Sequence, residues 1–289
     1  MIHAWVYAIR PRTLAVGFIP VLMGSIFALK QGHFHFLGGI SALISTTFIQ
    51  IGTNLANDYF DFVNGADTQN RLGPKRLTAS GEIRPETMRF GMQLAFLLAV
   101  VFAGYILVRG GWPILIIGLV GIAMGILYTG GPFPLGYHGF GDVVSFIFFG
   151  PVALAGTYYV HALHWSVDSV LLGISPGLFS VAILAVNNAR DVIEDSQTGK
   201  RTLAVKWGIS FVRVEFLLSI IIASSFPFLL TLIYTPGDIN RWVLVSIIPA
   251  IKLIDSFIRS EGSGYNETLS LTVKCYCFFL MVWALGEVL

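Results

Sequence analysis

Asn54-Leu55-Ala56-Asn57-Asp58-Tyr59-Phe60-Asp61-Phe62-Val63-Asn64-Gly65-Ala66-Asp67 puts three carboxylates where an apolar run of about twenty residues stops. If the helix begun before Ser41 runs on to about Phe62, then Asn54, Asn57, Asp58 and Asp61 recur at spacings of three and four and share one helical face. Gly65 can turn the chain back, and Asp67 follows it. The pattern recurs once, in Asn187-Asn188-Ala189-Arg190-Asp191-Val192-Ile193-Glu194-Asp195, where Asn187, Asp191 and Asp195 lie four apart at the end of another apolar helix. Two carboxylate-rich helix ends facing each other are a place to hold divalent cations.

Composition sets the class around these motifs. The 289 residues are 55% hydrophobic and 12% charged, against roughly 25% charged in soluble domains, and the mean hydropathy is +0.76. This is the composition of an integral membrane protein. The net charge of +2 is too small to indicate an acidic partner, and no nucleic-acid partner is expected. Residues 1–12 carry aromatic and basic side chains, and the apolar run after them is long enough to stay in the membrane, so an uncleaved amino terminus is expected. Cys275 and Cys277, the two cysteines, are two apart in an apolar helix and point in different directions, which argues against a disulfide or a metal site.

Apolar runs long enough to cross a hydrocarbon core fall at about nine places: residues 13–29, 37–56, 88–108, 113–128, 143–160, 170–186, 214–234, 242–258 and 269–288. The expected fold is therefore one all-α domain over residues 1–289, with nine transmembrane helices around a central polar cavity. The motifs end the second and sixth spans and are each followed by a basic pair, Lys75-Arg76 and Lys200-Arg201. That pattern reads as a pseudo-repeat of two four-helix units plus one helix, with a shared site between the halves.

Orientation follows from the basic residues. Arg10, Arg12, Arg71, Lys75, Arg76, Arg84, Arg89, Arg190, Lys200, Arg201, Lys206, Arg213 and Arg259 fall in one set of segments, whereas the other set has Lys30, Arg109 and Arg241. The excess places the amino terminus and both acidic motifs on the cytoplasmic side of the cell inner membrane and the carboxyl terminus outside.

Carboxylates cost roughly 2.5 to 3.5 kcal/mol each near the centre of a membrane helix, so two clusters of them imply function. Asp67 or Glu194 alone reads equally well as a solvated helix end. Oxygen ligands without His or Cys suit Mg²⁺ or Ca²⁺. Mg²⁺ holds few protein ligands and shares phosphate oxygens, which points to a diphosphate substrate. Arg71, Lys75, Arg76, Lys200 and Arg201 would neutralise it, although basic residues at this edge also serve simply as orientation markers.

The paired motifs, Asn57-Asp58-x-x-Asp61-x-x-x-Gly65-x-Asp67 and Asn187-Asn188-x-Arg190-Asp191-x-x-x-Asp195-x-x-x-Gly199-Lys200-Arg201-Thr202-Leu203-Ala204, resemble those of the UbiA superfamily of intramembrane prenyltransferases. Arg10-Pro11-Arg12-Thr13, Gly73-Pro74, Tyr128-Thr129-Gly130-Gly131-Pro132 and Gly156-Thr157-Tyr158-Tyr159-Val160 resemble its branch of 1,4-dihydroxy-2-naphthoate polyprenyltransferases of menaquinone synthesis. The six-residue separation of Asp61 and Asp67 departs from the commoner superfamily spacing of four and agrees with that branch.

The resemblance implies that Asp58, Asp61 and Asp67 with Asp191 and Asp195 bind two Mg²⁺ bridging a polyprenyl diphosphate. Asp61 ranks first, and either Asp58 or Asp67 completes the first site. Asn57, Asn187 and Asn188 would orient ligands or oxygens, with Arg190 in the same motif. Ionisation would leave an allylic cation that an electron-rich naphthoate ring attacks, with loss of its carboxylate. Tyr128 leads the candidates for a π-lined cavity, with Phe60, Phe62, Phe146, Phe148 and Phe149 behind it. Asp142 reads as a cavity residue or as a helix cap. Membrane lipid would surround the grooves that take the prenyl tail.

Competing readings are another quinone precursor as acceptor, such as 4-hydroxybenzoate, and a cation-coupled secondary transporter. The transporter requires charges near mid-membrane. A phosphatidyl-type alcohol transferase would need a contiguous motif with Gly-Ala-Arg that this chain lacks.

Overall fold

The computed structural model describes residues 2–67, 72–234 and 240–288, and among them every regular element is helical. A short helix α1 (Ile2–Ile9) precedes α2 (Pro11–Lys30), and the chain turns between them at Arg10, whose φ of 55° is left-handed. Pro11 then begins α2 where its missing N–H costs nothing.

The first motif lies on α3 (Phe36–Val63), which runs seven residues past the expected end of its apolar stretch. That extension is what carries Asn57, Asp58 and Asp61 on a helix. α3 packs antiparallel on α4 (Pro85–Gly110) through small residues. Ser45 donates to the Ala99 carbonyl at 2.9 Å, Ser41 donates to that of Phe102, and Gly52 sits under the Phe96 ring. Small residues let membrane helices approach closely and satisfy their hydroxyls on the neighbouring backbone.

The next helix, α5 (Trp112–Leu127), has 16 residues and one fully buried side chain, Ile114. The chain then forms a broken crossing from α6 (Gly141–Ile147) through a π-helical turn at Phe148–Val152 to α7 (Ala153–Ala162). The break is at Gly150-Pro151. A Cβ on Gly150 would lie 2.5 Å from the Gly173 carbonyl oxygen, so glycine here permits backbone-to-backbone contact. α8 (Val167–Leu172) leads into α9 (Ile174–Gln197), which carries the second motif.

α10 (Leu203–Tyr234) begins before its expected apolar stretch and breaks at Gly208, where φ is 81°. A 3₁₀ turn (Trp242–Ser246) leads into α11 (Ile247–Arg259), and α12 (Tyr265–Val288) closes the chain. Cys275 is buried and Cys277 exposed, as their offset on a helix requires.

Among the described residues, seven helical stretches are long and apolar enough to cross a membrane: Thr13–Lys30, Phe36–Val63, Pro85–Gly110, Gly141–Ala162, Val167–Gln197, Leu203–Ile233 and Gly262–Val288. The other two of the nine expected spans fall on shorter elements: α5, which is apolar, and the 3₁₀ turn joined to α11, a 13-residue helix that carries Lys252, Asp255 and Arg259.

The helix ends sort into two groups. At one end Lys30 pairs with buried Glu287 at 3.0 Å, Asn240 donates to Glu287 at 2.8 Å, and Arg109 donates to the carbonyls of Val160 and His161 at 2.9 and 3.0 Å. Lys30 and Arg109 are thus bound up in tertiary contacts. The acidic motifs lie at the other end, where Lys75, Arg84, Arg89, Arg201, Lys206, Arg213 and Arg259 are exposed.

Packing of α2 on α7 depends on Gly24, whose added Cβ would lie 2.7 Å from the Leu154 carbonyl oxygen and 3.0 Å from Thr157 Cβ. Gly24→Ala is expected to lower stability by about 1 to 3 kcal/mol through overpacking. Thermal unfolding of purified protein in detergent measures it, and an unchanged midpoint would contradict this contact.

Candidate active site

A cavity of about 730 Å³ opens between the ends of α3 and α9. Its polar end is lined by Asn57 and Asp61 from α3, by Asn187, Asn188, Arg190, Asp191 and Asp195 from α9, and by Arg76, Tyr128 and Lys200 from the connecting segments. The two motifs, more than a hundred residues apart in sequence, therefore share one space. Farther in, the walls become apolar, with Ile117, Gly121 and Met124 of α5 and with Phe148, Phe149 and Val152 of the π turn.

Asp61 is 1% exposed and is held by three segments at once. Arg76 donates to Oδ2, Tyr137 donates its hydroxyl to Oδ1 at 2.6 Å, and Lys200 Nζ lies 3.1 Å from the same oxygen. The Lys200 ammonium also sits 4.8 Å from the centre of the Tyr137 ring. Burial and the Asp61 charge raise the Tyr137 phenol above its ordinary pKa, so it remains a neutral donor. Arg76 Nε lies 3.3 Å from Asp67 Oδ1, whereas its Nη1 is buried without a hydrogen-bond partner.

On the opposite wall Arg190 grips Asp191 through two parallel bonds of 2.7 and 2.8 Å and donates to Asn266 Oδ1 at 3.0 Å. Asn266 Nδ2 in turn donates to the Leu72 carbonyl at 2.9 Å. Gly73 rests against the guanidinium, where a Cβ would come within 2.7 Å of Nη2. Any larger residue at position 73 would have to displace this guanidinium.

Asp58 shares the helix face of Asp61 but does different work. Its two carboxylate oxygens accept the amides of Leu77 and Thr78 at 3.1 and 2.9 Å, which fastens the 72–84 segment over the end of α3. Of the residues expected in the site, Asp58, Asp67, Lys75, Arg201 and Asp142 do not line the cavity. Lys75 pairs with Glu82 in solvent and the Arg201 side chain is exposed, whereas Asp142 is buried at the start of α6. Arg71 lies outside the described residues. Among the aromatic candidates Tyr128, Phe148 and Phe149 line the cavity. The Phe60 ring instead covers Gly130, Phe146 packs on Gly177, and Phe62 is exposed.

Tyr137 and Asn266 are contributors that sequence reasoning missed. Tyr137 sits in the Gly/Pro-rich segment after Tyr128, and that position was its only signal. Thr129 also acts here, donating to Asn57 Oδ1 at 2.9 Å and so fixing that amide.

Among the described residues, no three acidic, His or Cys side chains converge closely enough to cage an ion unaided. The donors are carboxylates and amides on facing walls, interleaved with Arg76, Arg190 and Lys200. That set fits Mg²⁺ held by one or two carboxylates and completed by phosphate oxygens. The charges lie at one end of the cavity and not at mid-depth, unlike a coupled-ion transporter.

A membrane-embedded helical chain whose cavity joins an oxygen-rich, cation-flanked mouth to an apolar interior is built to hold an anionic head on an apolar tail. Residues 17–260 match the UbiA prenyltransferase family, and the chain belongs to that family. It is 32% identical to a 1,4-dihydroxy-2-naphthoate octaprenyltransferase of Bacillus subtilis over 281 residues, covering 96% of this chain and 89% of the relative. It is 36% identical to the 1,4-dihydroxy-2-naphthoate octaprenyltransferase of Escherichia coli over 214 residues, covering 71% of this chain and 69% of the relative. The fold resembles a UbiA homolog from Archaeoglobus fulgidus bound to DMAPP and Mg²⁺, with a TM-score of 0.72, 13% identity and 99% of each chain covered.

Asp58→Ala is expected to leave the Leu77 and Thr78 amides buried and unpaired, at a cost of about 1 to 3 kcal/mol for each. A lowered unfolding midpoint and faster hydrogen exchange at both amides would be the signature; unchanged exchange would refute the fastening role.

Proposed function

We propose that this protein transfers a polyprenyl group from polyprenyl diphosphate to 1,4-dihydroxy-2-naphthoate, with loss of the ring carboxylate, to give the demethylmenaquinol of menaquinone biosynthesis. The observation that carries the reading is the shared cavity, with Asp61 facing Asp191 and Asp195 at a cationic mouth above an apolar interior. The names of the Bacillus subtilis and Escherichia coli relatives support the acceptor. The Archaeoglobus fulgidus homolog, bound to DMAPP and Mg²⁺, supports the donor class and the metal.

Asp61, Asp191 and Asp195 would hold two Mg²⁺, with Asn57, Asn187 and Asn188 orienting ligand oxygens, and Asp67, beside Arg76, would complete the set in preference to Asp58, which is committed to backbone amides. Bound Mg²⁺ supplies positive charge that stabilises the leaving diphosphate. Arg76, Lys200 and Arg190 add fixed charge at the same mouth, and the free Nη1 of Arg76 is a donor available to a phosphate oxygen. Lys75 and Arg201, exposed outside the cavity, would form an outer basic rim that draws the diphosphate in, and Arg71 would add positive charge to the same segment of sequence. Tyr128, Phe148 and Phe149 present π-faces to the allylic cation and exclude water from it. Asp142, buried next to Gly141, which abuts the Tyr128 hydroxyl, would act through that ring's position.

The protein is one catalytic unit over residues 1–289, crossing the inner membrane nine times when α5 and the Trp242–Arg259 segment are counted with the seven long stretches. Its halves repeat the plan of a motif-bearing helix followed by a basic segment. The site end faces the cytoplasm with the amino terminus, and the carboxyl terminus lies outside, as the exposed basic residues at the site end support. Lipid surrounds the apolar walls.

Asp61→Asn and Asp191→Asn preserve shape and remove a charge. Each is expected to cut turnover by about 10²- to 10³-fold or more and also to lower stability by about 3 to 5 kcal/mol, because Arg76 and Lys200, or Arg190, lose a buried partner, so turnover is compared at a temperature where each variant is folded. Turnover of labelled polyprenyl diphosphate in detergent, with dihydroxynaphthoate and 4-hydroxybenzoate competing and with Mg²⁺ present or chelated, tests the whole reading. Decarboxylated naphthoquinol formed only with Mg²⁺ is the expected result. Product from hydroxybenzoate alone would overturn the acceptor, and full activity in either variant would overturn the metal assignment.

A further inference from the structure

One uncharged polar group stands well inside the cavity, beyond its charged mouth. Gln50 of α3 lines the wall and is 8% exposed. It lies seven residues before Asn57, about 10 Å farther in along the helix. Its stem is seated on α2, where a Cβ added to Gly17 would meet Gln50 Cβ and Cγ at 3.7 and 4.0 Å. Among the described residues the amide beyond that stem has no hydrogen-bond partner, and its atoms reach the open space.

Most polar side chains on this part of the wall are spent on the protein itself. Thr13 donates to the Arg10 carbonyl at 3.0 Å, Asn54 to that of Ile9 at 2.8 Å and Thr53 to that of Ile49 at 2.9 Å. Ser145 donates to Ser180 at 3.1 Å, and Ser180 to the Gly177 carbonyl at 2.7 Å. Thr46, one turn beyond Gln50, shares its lack of a described partner and extends the same polar line inward. A buried amide without a partner is costly, so Gln50 reads as a group that a ligand completes. A hydrocarbon tail offers an amide nothing, and an anion belongs with Arg76, Arg190 and Lys200 at the mouth. What remains is a neutral hydroxyl on the acceptor.

We propose that Gln50 recognises the acceptor through a hydrogen bond to the 4-hydroxyl of dihydroxynaphthoate, and so discriminates this ring from one that lacks the group. The inference rests on the prenyl-transfer reading above. With the diphosphate held at Asp61 and Asp191, the allylic carbon lies just inside the mouth. A ring that turns its carboxylate toward the cations carries its 4-hydroxyl on the inward side, where the Gln50 amide oxygen accepts the proton. The contact fixes which edge of the ring is presented to the cation.

The test compares purified wild type with Gln50→Met, which keeps the length of the side chain and removes the amide, using octaprenyl diphosphate and Mg²⁺. 1,4-Dihydroxy-2-naphthoate is the acceptor, and 1-hydroxy-2-naphthoate, which lacks the 4-hydroxyl, is the competing ligand. In Gln50→Met the KM for dihydroxynaphthoate is expected to rise about tenfold, while the KM for the donor and the Ki of the monohydroxy compound stay within about twofold of wild type. An unchanged KM for dihydroxynaphthoate, or an equal rise in that Ki, would overturn the contact while leaving prenyl transfer standing. Wild type gives a check that does not depend on the variant's folding: it is expected to bind dihydroxynaphthoate about tenfold more tightly than 1-hydroxy-2-naphthoate in equilibrium titration, and equal affinities would overturn the proposal. Wild type inert with dihydroxynaphthoate would overturn the acceptor reading itself, and the role of Gln50 with it.

Discussion

The Asp61 carboxylate is the constraint on which the site end of the molecule depends. A buried carboxylate in a membrane helix is tolerable only when its charge is matched and its oxygens are bonded. Here the match comes from three segments distant in sequence: Arg76 after α3, Tyr137 after α5 and Lys200 after α9. One side chain thus gathers the connections after α3, α5 and α9 over a single cavity. Asp58 anchors the first of these segments through its backbone, and Asn266 ties the same segment to Arg190 across the mouth. The arrangement places positive groups around negative ones before any ligand arrives. An incoming diphosphate with its cations can exchange partners within that set and need not desolvate bare charges.

Away from the site, glycine is used in two opposite ways. Gly24, Gly52, Gly150 and Gly73 sit under close contacts, where a side chain would collide with backbone, ring or guanidinium. Gly118 and Gly121 border open space. In lipid there is little hydrophobic force between helices, so association relies on close packing, and a helix without it is held loosely. α5 is the clearest case, with one buried side chain and glycines over a cavity. The tight helices fix the polar chemistry, and α5 borders the cavity with little packing of its own.

Much of the site was legible because its residues are expensive where they stand. Carboxylates and amides at the ends of apolar runs identified Asn57, Asp61, Asn187, Asn188, Asp191 and Asp195, and all six line the cavity. The same signal could not separate Asp61 from Asp58, since both share a helix face. Their difference lies in what the following segment brings to each: a guanidinium to one and backbone amides to the other. Tyr137 and Asn266 were not legible, because a tyrosine in a Gly/Pro-rich connection and an asparagine at a helix start are unremarkable until a distant partner is placed beside them.

The sequence by itself determined that the chain is a helical membrane protein with two acidic helix ends on one side, since hydropathy, helical spacing and the distribution of basic residues are local properties read along the chain. Only the tertiary structure decided which carboxylates face the cavity, which cations neutralise them and where the apolar space lies. Those outcomes depend on contacts between helices far apart in sequence, where a choice as small as glycine against a larger side chain sets whether two backbones touch or stand apart.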